Sequence, residues 1–325
     1  MKQTSLRQLF GKDSAPKKED VPVTVIDLFC GCGGFTTGAV MAGCRVSLAC
    51  DSDFEALQCH KNNHPECTHS NAPLPMDIAF PTDRRFHLHG SPPCQKFSVA
   101  GVRNRHEGDR ERPGHLIKWF LETAITCGAH SWSMEQVSTP KVIDIINEVR
   151  EKNRGLVSYA IVNFQDLGVP QSRKRVICGP PWLVAELVRR CGHSRRRSVQ
   201  DVVTPRGKFI RDGSHHVGKR HGKAFIGNTG PRYFKASWLE HCKPVTQPSH
   251  AVLANRLLSW VWQEDGRTKH TCLNTHEMAA LQTFPETYEW PESKCLSMRL
   301  IGNALPPMVA LEIMLIARAG APQQS

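Results

Sequence analysis

One unit near the start of this chain constrains its fold more than any other. Val23 to Phe29 is a mostly apolar run with a single acid, Asp27. It passes through Cys30-Gly31-Cys32-Gly33-Gly34 into a helical stretch from Phe35 to Gly43. A strand this apolar reads as buried and parallel. Glycines between such a strand and a helix aim backbone N–H groups and the positive helix end at a ligand. They serve tight-turn packing equally well. A second apolar run, Arg45 to Cys50, ends in Asp51. An acid there, about 20 residues beyond the glycines, is placed to bind ribose hydroxyls. The pair predicts an α/β fold with a mostly parallel sheet and a nucleoside-bearing cofactor. No Gly-Lys-Ser/Thr loop is present, which argues against a nucleoside triphosphate.

The 325 residues allow a large domain, a smaller one and a sizeable core. With 40% apolar residues the chain is globular rather than disordered. No stretch is expected to span a membrane, so no membrane partner is expected, and the N-terminus lacks a signal-like apolar region. The 13 cysteines are odd in number and irregularly spaced. They read as reduced thiols of a protein of the nucleus or cytoplasm. Cys59 to His69 is rich in Cys and His but lacks paired Cys-x-x-Cys spacing, so a helix end and loop is expected and no metal site. The net charge of +12 is concentrated. From Leu183 to Lys243 there are 14 Lys or Arg against 4 Asp or Glu, an excess of +10. Such a segment suits a polyanion.

The stretch that carries chemistry is Gly90-Ser91-Pro92-Pro93-Cys94-Gln95-Lys96-Phe97-Ser98. Two prolines fix the backbone before a cysteine, and a thiolate held on a stiff loop is a nucleophile. A buried core cysteine is the alternative for a lone Pro-Pro-Cys. The preceding strand, Phe86-His87-Leu88-His89, alternates apolar and polar, so His87 and His89 need partners inside the sheet. Helices are predicted over His115 to Cys127 and Lys141 to Arg154. Strands are predicted over Ser131 to Val137, Ser158 to Asn163 and Arg175 to Cys178. In Gln171-Ser172-Arg173-Lys174-Arg175 an extended chain would put both guanidinium groups on one side. Their fixed donors suit a phosphate or a base carbonyl.

In that order, the glycine block, the Pro-Pro-Cys block, the arginine block and Gly302-Asn303-Ala304-Leu305-Pro306-Pro307 resemble the cytosine carbon-5 methyltransferases. The resemblance runs from about Val23 to about Ile316 with one variable gap. It implies a Rossmann-like methyltransferase domain plus a smaller, irregular β-rich target-recognition domain. The implied divisions are a tail over 1–21, a catalytic part over 22–180, a recognition domain over 181–272 and a returning part over 273–325. It implies transfer of a methyl group from S-adenosylmethionine to carbon 5 of a flipped-out cytosine in double-stranded DNA, with Cys94 as nucleophile, by a monomer. Glu135 falls in the block that follows and would be the second catalytic residue, and Arg173 and Arg175 would contact the cytosine and the active site. Phe29, Gly31, Gly33, Gly34, Asp51, Ser52, Asp77, Ile78, Pro92, Asn303 and Ala304 would line the cofactor. The chain departs at Gln136, where the family usually has an Asn that braces the nucleophile's loop; Gln is longer by a methylene. Thr275 to Pro285 resembles the penultimate block, with Asn274, Thr275 and His276 as less usual choices. Two rivals share the fold: an RNA methyltransferase and a catalytically weak DNA-binding scaffold. A dinucleotide-dependent dehydrogenase fits the first strand but explains neither Cys94 nor the arginines. In the tail, Gln3-Thr4-Ser5-Leu6-Arg7-Gln8-Leu9-Phe10 resembles peptides that dock on sliding clamps, with Leu6, Leu9 and Phe10 as one apolar anchor.

Overall fold

The computed structural model describes residues 23–82, 85–93, 114–203, 225–229, 243–244, 248–254, 257–264 and 267–321. The clamp-like octet, Cys94 with the loop after it, and most of the basic segment lie outside these residues.

The predicted first strand is β1 (Thr24–Leu28). It lies inside a seven-stranded sheet with β2 (Arg45–Cys50), β3 (Thr68–Ser70), β4 (Phe86–Gly90), β5 (Ser131–Val137), β6 (Ser158–Asn163) and β8 (Lys174–Gly179). The strand order is β3-β2-β1-β4-β5-β8-β6. The first five of these pair in parallel, and β8 runs antiparallel to both neighbours. The order reverses direction at β1, between β2 and β4. Open α/β sheets bind ligands at such a crossing, beyond the carboxyl ends of the strands.

The helices are α1 (Gly34–Met41), α2 (Phe54–Asn63), α3 (His115–Thr126), α4 (Pro140–Lys152), α5 (Pro181–Arg190), α6 (Thr275–Leu281), α7 (Lys294–Asn303) and α8 (Pro307–Ala319). One face of the sheet buries Ile26, Leu28, Leu88, Trp132 and Met134 with Phe120 and Ile117 of α3 and Ile146 of α4. On the other, α1 and α8 bring in Phe35, Ala39, Val309, Ile313 and Ile316. Residues 294–319 together are long and apolar enough to pass for a membrane span, contrary to the sequence expectation, but they are mostly buried within the protein.

Two boundaries differ from the sequence reading. Pro180-Pro181 does not end the catalytic part: Pro181 is the first residue of α5, where a missing N–H costs nothing. Leu183 and Leu187 of α5 lie in the core with α8, and Arg190 bonds Glu312 at 3.0 Å. The C-terminal part forms two helices rather than one. Asn303 ends α7, Ala304 is extended, and α8 starts at Pro307. A residue before proline avoids helical angles, so Pro306-Pro307 forces the break. The unusual Asn274-Thr275-His276-Glu277 is a helix start: Asn274 accepts from Glu277 N, and Glu277 accepts from Asn274 N, each at 2.7 Å.

The smaller unit contains a four-stranded antiparallel sheet. Its order is β10 (Lys243–Pro244), β9 (Phe225–Thr229), β12 (Leu257–Glu264) and β13 (Arg267–Cys272). Leu258 and Trp260 of β12 pack with Leu273, Met278 and Leu281, joining it to α6. A short strand, β11 (Ser249–His250), pairs in parallel with β7 (Gln171–Ser172).

Candidate active site

The carboxyl ends of β1, β2, β4 and β5 meet along one edge. At β1 the chain turns sharply: Phe29 and Gly31 have φ of 57° and 54°. A side chain added at Gly31 would meet nothing within 4 Å, so this residue borders open space. Asp51, at the end of β2, accepts from Gly31 N and from Asp53 N, both at 2.8 Å. A carboxylate has about four acceptor sites, so about two remain. Burial raises its pKa, and the two backbone N–H bonds work against that rise. Phe29 meets the edge of Trp119, with ring centroids 6.2 Å apart. Ile78 packs half-buried on the same cluster as Phe29, while Asp77 and Ser52 are exposed. An apolar wall, an open glycine and a carboxylate with spare acceptors fit a nucleoside.

Gly33 and Gly34 carry a packing constraint. A Cβ at Gly33 would lie 2.9 Å from the Tyr288 hydroxyl and 3.0 Å from the His60 and His64 rings. One at Gly34 would strike the Leu305 carbonyl and lie 3.3 Å from Ala304 Cβ. These glycines let the returning C-terminal segment approach α1. Ala304 is half-buried beside Gly34, and Asn303 is exposed.

Beyond β4, the Ser91 N–H reaches Leu28 O at 3.3 Å. Pro92 is buried, and Gln136 Nε2 donates to its carbonyl at 2.5 Å. The other end of that amide accepts from Val137 N at 2.9 Å. Glu135, pointing to the opposite face of β5, is 8% exposed. Arg175 Nε stands 3.0 Å from its Oε1. An arginine and a carboxylate paired here can hold a polar ring between a donor and an acceptor.

The family model for C-5 cytosine-specific DNA methylase matches residues 23–179 and 195–315. The chain belongs to this family. It is 25% identical to the type II methyltransferase M1.HphI of Haemophilus parahaemolyticus, over 90% of this chain and 85% of that one. It is 27% identical to M.DdeI of Desulfomicrobium norvegicum, over 89% and 86%. Among solved structures it is similar to a DNMT2 variant of Spodoptera frugiperda, with a TM-score of 0.61, 15% identity, and 90% and 99% of the two chains covered. It is similar too to Dnmt2 of S. pombe, with a TM-score of 0.59, 17% identity, and 90% and 98% covered. At these identities the structures speak for the fold, which is the Rossmann-like one expected.

This C-5 cytosine methylase is therefore a DNA cytosine methyltransferase, and the family's methyl donor is S-adenosylmethionine. At Gln136, where the chain departs from the family's usual Asn, the longer amide still reaches the backbone two residues before Cys94. Arg173 requires a correction. It is 2% exposed, and its guanidinium donates to the carbonyls of Val252 at 2.8 Å, Gly302 at 3.2 Å and Ala304 at 3.4 Å. Arg175 instead reaches Glu135, so the two guanidinium groups have different partners. Gln171 completes the same junction, bonding Leu281 O, Gln282 and Val252 N. Arg173 thus fastens the chain around Val252 to the segment from Gly302 to Ala304.

The start of the basic segment also differs from expectation. Arg189 bonds Glu186, Arg196 bonds Asp166, and Arg195 lies 3.7 Å from Asp201. The uncompensated charge falls later: residues 204–243 hold nine Lys or Arg against two acids, an excess of +7. The Cys59 to His69 stretch forms a hydrogen-bonded cluster. His60 bonds His69 at 2.9 Å and Thr36 at 3.0 Å, which occupies both of its ring nitrogens.

Two buried polar features take their partners from the tertiary structure. Asp27 is fully buried; Thr36 donates to it at 2.8 Å, yet burial pushes its pKa up to about 7. The histidines of β4 find their partners in serines of β5 and in Ser91. The polar alternation in β4 was the signal for that row, but only the register names its partners.

Proposed function

We propose that Cys94 adds to carbon 6 of a cytosine turned out of duplex DNA, making carbon 5 nucleophilic. The Cys94 thiol must first lose its proton, since the thiolate is the attacking species. Glu135 hydrogen-bonds or protonates ring nitrogen 3, drawing off charge as the Cys94 sulfur adds. Arg175 holds Glu135 in place and offers its remaining N–H groups to the base carbonyl. Phe29, Gly31, Asp51 and Ile78 hold the cofactor, with Asp51 accepting from the ribose. When bound, S-adenosylmethionine supplies the electrophilic methyl group that carbon 5 receives. The carbon 5 proton then leaves, and Cys94 departs as the double bond re-forms. Turning the base out costs a few kcal/mol, which phosphate contacts by the basic 204–243 segment offset.

The observation that carries this reading is the Glu135–Arg175 pair at 3.0 Å between β5 and β8, with the Gln136 tie to Pro92 next to Glu135 on β5. The test is a duplex containing 5-fluorocytosine, whose fluorine cannot leave as the proton does. With S-adenosylmethionine it should form a denaturant-resistant protein–DNA complex, and Cys94→Ser should form none. A complex that persists in Cys94→Ser would overturn the assignment. Residues 3–10 support a further proposal, docking on a sliding clamp, which a peptide of residues 1–15 that fails to bind a clamp would refute.

A further inference from the structure

Five side chains form an unbroken hydrogen-bonded row along one face of the sheet. Ser131 Oγ is 2.8 Å from His87 Nδ1, and His87 Nε2 is 2.9 Å from Ser133 Oγ. Ser133 Oγ is 2.8 Å from His89 Nδ1, and His89 Nε2 is 3.1 Å from Ser91 Oγ. The register explains the row. Val25, His87 and Ser131 are cross-strand neighbours, as are Asp27, His89 and Ser133. The ring of Phe35 lies flat on His89, with centroids 3.6 Å apart, and seals the row from α1. His87, His89, Ser131 and Ser133 are at most 1% exposed; Ser91 is half-buried.

The row has a direction. Burial pushes the His87 pKa down to about 3 and that of His89 well below its ordinary value, so both rings are neutral. A neutral imidazole has one donor and one acceptor, and a serine has one O–H. Ser133 lies between two ring nitrogens, so its single proton fixes the sense of the whole row. If protons pointed towards Ser131, its O–H would be left over where no water reaches, and His87 is its one side-chain partner among the described residues. A buried donor without a partner is strongly disfavoured. If they point towards Ser91, every buried donor is used, and the leftover O–H belongs to the half-buried end. The second arrangement is the one the burial selects. In it His89 Nε2–H donates to Ser91, and the Ser91 O–H turns outward.

Ser91 is three residues before Cys94 in the chain. We propose that His87, Ser133 and His89 are positioning residues for the methyl transfer: through Ser91 they fix the start of the nucleophile's loop, beside the Gln136 tie to Pro92. The inference rests on Cys94 being the nucleophile. It assigns a function to the two histidines that interrupt an otherwise apolar strand.

The test uses three variants of the full chain. Ser91→Ala removes the acceptor at a half-buried place. His89→Asn keeps an amide near Nδ1, within reach of Ser133, but cannot reach Ser91. His89→Gln places its amide nitrogen where Nε2 stood and keeps the donor to Ser91. Both histidine variants lose the stacking on Phe35, so thermal unfolding should fall alike in the two. Ser91→Ala and His89→Asn should each lower kcat about tenfold with KM for DNA and for S-adenosylmethionine retained, the loss expected when a reacting group is slightly misplaced. Their double variant should be no worse than either alone. His89→Gln should recover most of the loss. A wild-type kcat in Ser91→Ala, or equal losses in the two histidine variants, would overturn the proposal. Alkylation of Cys94 by iodoacetamide, followed by peptide mass spectrometry, reads the loop without turnover. It should be faster in Ser91→Ala and His89→Asn than in the wild type and His89→Gln; identical rates in all four would overturn it. An inactive wild type would count against the methyl-transfer reading, and the alkylation rates would still decide this one.

Discussion

Replacing Asp27 by Asn should change how stability depends on pH, by an amount that follows from the burial of one carboxyl. Asp27 ends the core part of β1, fully buried, with Thr36 bonded to one oxygen and the other without a partner. Its pKa in the folded protein is about 7, against 3.8 for the unfolded chain. The folded state therefore binds the proton more tightly, and stability falls as pH rises from about 4 to about 7. Between pH 5 and pH 8 the unfolded carboxyl stays ionised. The folded one passes from protonated to mostly ionised over about two pH units, worth roughly 2.5 kcal/mol at 1.36 kcal/mol per unit. Asn cannot ionise, so the stability of Asp27→Asn relative to the wild type should rise by roughly 2.5 kcal/mol between pH 5 and pH 8. Urea unfolding of both proteins at the two pH values, with a reductant present, measures this double difference and cancels the other titrating groups. A constant difference would show that Asp27 is already ionised when folded and would refute the argument.

Gln136→Ala removes the tie to Pro92 and should lower kcat about tenfold with KM for the cofactor retained, measured by steady-state methyl transfer. Arg173→Lys leaves at least one buried carbonyl without its donor and should destabilise by about 3 kcal/mol in urea unfolding, because an ammonium cannot reproduce the guanidinium fork. Gly34→Ala should destabilise by about 1–3 kcal/mol, read from the urea midpoint, since its Cβ meets the Leu305 carbonyl. Gly31→Ala meets no atom. Beyond the modest strain of its positive φ, its main effect should be weaker binding of S-adenosylmethionine by calorimetry, and unchanged affinity would move the cofactor away from this turn.

The strand–turn–helix start and Asp51 were legible in the sequence because apolar runs and glycines report local backbone needs. Glu135 and Arg175 were legible only through the order of motifs, since an acid or an arginine in a strand has no signature of its own. Their 3.0 Å pairing depends on β8 running antiparallel to β5, which periodicity does not encode. Arg173 was read as a base contact because the sequence does not show that the carbonyls of Val252, Gly302 and Ala304 converge on its guanidinium. The packing demands on Gly33 and Gly34 were not legible, because the Tyr288 hydroxyl and the Leu305 backbone that approach them come from far along the chain. The α5 boundary failed because a proline pair looks the same at a domain border and at a helix start.

The central claim is methyl transfer to DNA cytosine through Cys94. The most direct test is the transfer of labelled methyl from S-adenosylmethionine to mixed-sequence duplex DNA, with transfer RNA and Cys94→Ser in parallel. The account predicts label in the DNA, recovered as 5-methylcytosine, and none with Cys94→Ser. Label in the RNA alone, or undiminished labelling of DNA by Cys94→Ser, would contradict it.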